Sequence, residues 1–130
     1  MVSIKAAFSC DFGLTLGKLL DAAEAAGLLW TASCAPADFD TLSQTLYETG
    51  GAIEAYPIND GEQRLPIQTY GDFLNSGCVL YLAAKQPAHM QVFCKNRTLM
   101  RRLYDIFAAS DADSLDILLD VDTNLTISHN

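Results

Sequence analysis

Apolar and polar residues alternate from the start of the chain. Val2, Ile4, Ala6 and Phe8 are set against Ser3, Lys5 and Ala7, a period of two that predicts a strand. After a turn at Asp11-Phe12-Gly13 the period changes. Leu16, Leu19, Leu20 and Ala23 recur at helical spacing behind Thr15, a suitable N-cap, and Gly27 is a fitting stop. Leu28 to Cys34 reads as a buried strand, with a longer helix as the alternative. Asp38 caps a second helix with Phe39, Leu42 and Leu46 on its inner face, ended by Gly50-Gly51. Ala52 to Ile58 and Arg64 to Tyr70 read as strands, and Pro57 and Pro66 place both at sheet edges. Cys78 to Ala84 has no polar side, which puts it at the sheet centre. Met90 to Cys94 is a further strand. Asn96 or Thr98 opens a third helix with Leu99, Leu103, Ile106 and Phe107 as its stripe.

The tail returns to a period of two. From Leu115 to Ile127 every odd position is apolar except Thr123, while Asp116, Asp120 and Asp122 fall on even positions. Such alternation predicts a half-buried strand with its aspartates in water. A straight strand of that length would overrun a small domain, so a bend near Asp122-Thr123-Asn124 is expected. The order of elements predicts an α+β fold. It is one layered domain over residues 1–130, with a mixed, mainly antiparallel sheet of about five to six strands and three helices packed on it.

Composition adds three points. Half of the 130 residues are apolar, so a core forms without a disulfide or metal staple. The net charge of −8 argues against nucleic acid and anionic membranes as partners. The charged fraction is 18%, below the usual value of about 25%. So few charges on so apolar a chain imply an exposed apolar patch suited to another protein or to a homodimer. The N-terminus has neither a basic start nor a long apolar stretch, and no run reaches the length of a spanning helix. The expected location is cytoplasmic.

Candidate chemistry is sparse. Asp120-Val121-Asp122-Thr123-Asn124 opens like a calcium loop, but Leu125 stands where that loop needs glycine. Gly13 to Lys18 resembles a phosphate loop that is one residue short between its glycines and has Leu19 where Ser or Thr is required. It reads better as glycines of a turn and a packed helix. The four cysteines and two histidines are dispersed, so no zinc site and no other cofactor is expected. Two thiols could serve a small thiol-dependent enzyme. Cys10 precedes a helix, and Cys94 precedes Lys95, Arg97, Arg101 and Arg102. A base would have to be His89 or His129. Otherwise the thiols are small core residues. Arg101 and Arg102 have Asp105 within helical reach, so the basic run reads first as a solvated face.

The acidic tail carries the leading expectation. Asp111, Asp113, Asp116, Asp120 and Asp122 occur there without a basic residue among them. Same-face carboxylates on a strand lie about 6.6–7 Å apart. A row at that pitch beside apolar surface suits capture of a basic protein by electrostatic steering. The expected function is a non-enzymatic acidic binding protein. Immunity proteins and phage-encoded inhibitors of a nuclease or nucleic-acid-binding effector are the class-level analogy. An acidic secretion chaperone is a further alternative, on size and a pI near 4.4.

Overall fold

Alternation in the first strand puts Ile4 and Ala6 on one side, and both are buried there among helix residues. The structure, a computed structural model, describes residues 3–8, 12–32, 39–57, 67–85, 89–110 and 114–118. Its elements run in the order β1 (Ser3–Ala7), α1 (Phe12–Ala25), β2 (Leu28–Ala32), α2 (Phe39–Glu48), β3 (Gly51–Pro57), α3 (Tyr70–Asn75), β4 (Leu80–Lys85), β5 (His89–Cys94), α4 (Arg97–Ala108) and β6 (Ser114–Leu118). The six strands form one sheet in the order β2-β3-β4-β5-β1-β6. Every neighbouring pair is antiparallel. The fold is α+β, with the parallel component of the expected mixed sheet replaced by antiparallel pairing throughout. Chain order explains this: β1 feeds α1, which crosses to β2 at the far edge, so β1 and β2 never become neighbours.

The two faces of the sheet are unequal. On one, Ile4, Ala6, Ile53, Ala55, Leu80, Leu82, Met90 and Val92 meet the apolar stripes of α1, α2 and α4. Helix α1 packs against both α2 and α4. Burying each large aliphatic side chain there stabilises the fold by roughly 1.5–3 kcal/mol. On the other face Tyr56, Tyr81, Ala83 and Phe93 are covered by Ile67, Cys78 and Phe73 of the six-residue α3.

Local chemistry accounts for the element ends. Gly27 adopts φ 81° after α1, and Gly50 adopts φ 87° after α2, the left-handed stops that glycine permits. The Asn96 side chain accepts the Leu99 backbone N–H at 3.0 Å and so caps α4. Gly13 lies within α1, where a Cβ would come 2.5 Å from Ser43 Oγ of α2. Gly13 to Lys18 is therefore a stretch of packed helix.

Four expectations need correction. Thr15 is 2% exposed inside α1, which begins at Phe12, so it does not cap the helix. β2 is an edge strand with Leu29 54% exposed. β3 lies inside the sheet despite Pro57, because the proline is its last residue and faces Leu28 at the start of β2. Thr69 and Tyr70 do not continue a strand. They open α3, a fourth helix, through a capping box in which Thr69 and Asp72 each accept a backbone N–H of the other. Residues 64–66, Asp38 and Cys34 lie outside the described residues.

Candidate functional site

Of the aspartates singled out in the tail, Asp116 is the one inside the described residues. Asp111, Asp113, Asp120 and Asp122 lie outside them. Asp116 is exposed at the centre of β6, the last strand of the sheet. Leu115 packs against the helix-side core, and Ile117 on that same face is 39% exposed. The alternation read from the sequence is thus realised over Ser114–Leu118, with the apolar side only partly covered. The direct cross-strand neighbour of Asp116 is Lys5 of β1, also exposed. Opposite charges so placed contribute about 0.2–1 kcal/mol to the pairing of the two strands. The edge therefore offers a carboxylate on one face and half-exposed aliphatic surface on the other.

Both described thiols are held as thiols. Cys78 is fully buried, and its Sγ–H donates to the Leu80 carbonyl at 3.1 Å. Burial pushes its pKa up to about 12, with the Glu54 carboxylate adding to the rise. Cys94 is half-buried and donates to the Asn96 carbonyl at 3.4 Å. Burial raises it to about 11. A catalytic cysteine needs the opposite shift. At Cys94 burial outweighs the one lowering contact, the hydrogen bond to the Asn96 backbone, and Arg97, Arg101 and Arg102 are exposed on α4. Cys10 and His129 lie outside the described residues. His89 is the exposed first residue of β5.

The sequence reading missed a cluster on the α3 side of the sheet. Phe93 lies 5.5 Å from Tyr70 and 6.1 Å from Phe73, centroid to centroid, and Phe73 lies 6.5 Å from Tyr81. Lys95 Nζ sits 5.0 Å from the centre of the Phe73 ring and donates to the Ser76 carbonyl at 2.5 Å. Partial burial lowers its pKa. The Tyr56 hydroxyl donates to Glu54 at 2.7 Å, while Tyr81 stands directly across from Glu54. Burial first and the Glu54 charge second raise Tyr81 to about 12. Tyr81 therefore holds its proton at neutral pH, and the ring contacts of Tyr70, Phe73 and Phe93 brace α3 on the sheet. The readable signal was the capping pair of Thr69 with Asp72 three residues on.

A cleft of about 310 Å³ opens between α1 and α4. Ala22, Ala25 and Ala26 form one wall, and Asn96, Thr98, Leu99 and Arg102 the other. The Asn96 side chain is already engaged in capping, and among the described residues no carboxylate, histidine or thiol lines the space. It offers shape and one guanidinium rather than acid–base chemistry. Among the described residues no group of three or more His, Cys, Asp or Glu could hold a metal ion. None of the described helices is long and apolar enough to cross a membrane.

Comparison with known proteins gives a family match and a curated relative. Residues 39–127 match the family described as "Protein of unknown function (DUF2691)". Over 74 residues the chain is 30% identical to "Uncharacterized protein YncE" of Bacillus subtilis (strain 168). That stretch covers 57% of this chain and 46% of the relative, so the match spans about half the relative's length. No solved structure gives a significant match. The family match begins at Phe39 and so omits β1, although β1 is the strand that carries β6 on the sheet.

Proposed function

The chain belongs to the DUF2691 family, and from that premise and the geometry above we propose that it is a non-enzymatic acidic protein that binds, and thereby neutralises, a basic protein partner. The observation that carries the reading is the place of β6. It is the terminal strand of the sheet, with Asp116 in water on one face and Ile117 partly bare on the other. An edge strand of this kind docks a partner through backbone pairing, with side chains setting specificity. Asp111, Asp113, Asp120 and Asp122 flank it in the sequence. With a net charge of −8 they supply steering towards a basic surface. The cytoplasm is the proposed setting, with a nuclease or nucleic-acid-binding effector as the partner class. The raised pKa of Cys94 favours this reading over a thiol-dependent enzyme using that residue, and Cys10 lies outside the described residues.

The test is capture from a Bacillus subtilis lysate on immobilised protein, at low and then high salt. The wild type is expected to retain a basic protein at low salt and release it at high salt. The triple variant Asp116→Lys, Asp120→Lys, Asp122→Lys is expected to lose it, with association to the purified partner slowed by about tenfold or more at low salt. Equal capture by the variant and the wild type discards the proposal.

A further inference from the structure

The two ends of the sheet differ in how they are guarded. β6 carries Asp116 at its centre. At the other end β2 reads Leu-Leu-Trp-Thr-Ala, with no charge, proline or glycine. Edge strands present free N–H and C=O groups, and a charge, a proline or a bulge is the usual protection against another strand. β2 has none of these: it pairs with β3 through five successive residues in unbroken register. Leu29 is 54% exposed and Thr31 is exposed, both on the face away from α1, α2 and α4.

We propose that β2 is the edge at which a second copy of this chain pairs, antiparallel and two-fold, joining two sheets into one. Charge selects the occupant. Two molecules of net charge −8 repel over most of their surfaces, and a charge-free strand is where they approach at least cost. Self-pairing at β6 would instead set Asp116 against Asp116, and like charges directly opposite are destabilising.

Register gives the second argument. A two-fold axis normal to the sheet keeps every residue on its own face, so each residue pairs with one of the same parity. Centring on Trp30 uses all of β2. Leu29 then meets Thr31 of the second copy, Thr31 meets Leu29, and Trp30 meets Trp30. Apolar and β-branched neighbours of this kind are favourable cross-strand pairs, and two indoles add aromatic contact. Trp30 is half-buried at this edge, its Nε1–H held by Glu24 at 3.1 Å.

Trp30 is the chain's single tryptophan, so its emission reports the contact directly. Sedimentation equilibrium and Trp30 fluorescence are read on the full chain over a range of concentrations. The expected result is a monomer–dimer equilibrium, with a blue shift of emission that follows the dimer fraction. Leu29→Lys is expected to weaken association at least about tenfold, since symmetry removes each contact twice. Thr31→Lys, at the same edge, acts in the same direction if Leu29→Lys perturbs the fold. Leu14→Lys, on the exposed side of α1, leaves association unchanged. A monomer at every concentration overturns the inference. So does a dimer indifferent to both β2 variants, or one weakened equally by Leu14→Lys. The inference is independent of the basic-partner reading, because both β2 variants keep β6 and its lysate capture intact.

Discussion

Stability is expected to fall steadily as the pH is raised above about 9. The cause lies in Cys78 and Tyr81, which keep their protons in the fold long after the unfolded chain has released them. Cys78 moves from an ordinary value of 9.0 to about 12 and Tyr81 from 10.0 to about 12, in both cases chiefly because burial penalises the anion. Below pH 9 both states carry these protons, and the full contribution to stability is present. Between the unfolded and folded values only the folded state holds them, so each further pH unit costs about 1.4 kcal/mol per group. Cys78 and Tyr81 together account for a loss on the order of several kcal/mol by pH 12, against a total stability of roughly 5–15 kcal/mol for a domain. Cys94, raised to about 11, adds a loss of the same sign. Urea denaturation midpoints at a series of pH values from 8 to 11 check this. A midpoint constant to pH 11 would show that the thiol and phenol are not buried as described. Replacing Cys78 with Ala should flatten the first part of the decline.

Phe93→Ala is expected to cost about 3–5 kcal/mol, the usual range for deleting a buried ring. Phe93 is fully buried and stands at the junction of Tyr70, Phe73 and β5. Its loss reaches beyond the cavity itself. α3 has six residues, too few to be helical in isolation. Its capping box holds the start, but the ring contacts hold the helix to the sheet. Without Phe93, α3 is expected to loosen over Cys78, the buried thiol of the same cluster. Two readouts therefore move together: the urea midpoint falls, and alkylation of Cys78 accelerates. A loss below about 1 kcal/mol, with Cys78 still protected, would remove the claim that this cluster anchors α3.

Legibility in the sequence followed element length and period. β4 was readable from its unbroken apolar run, β5 from the shorter run Val92 to Cys94, and α4 from its stripe and its Asn96 cap. α3 was not, because six residues hold less than two helical turns, and Ile67 and Thr69 sit at an alternating spacing that mimics a strand. The capping chemistry of Thr69 with Asp72 carried the better signal. Pro57 misplaced β3 because a proline bars only the hydrogen bond at its own position, and that position is the end of the ladder. Thr15 misled for a similar reason. Its hydroxyl suits a cap, but Phe12 is already a core residue, and α1 starts there. At the candidate site, alternation placed Asp116 in water and Leu115 towards the core, as found. It did not reveal that β6 would be the outermost strand. That property depends on β1 entering between β5 and β6, a long-range pairing that no local pattern encodes.

The proposed docking at β6 is most directly tested by amide hydrogen exchange on the protein alone and with its captured basic partner. The account predicts that amides of residues 114–118 become protected in the complex, while those of β2 do not change. Protection confined to other elements, with β6 exchanging as it does in the free protein, would contradict it.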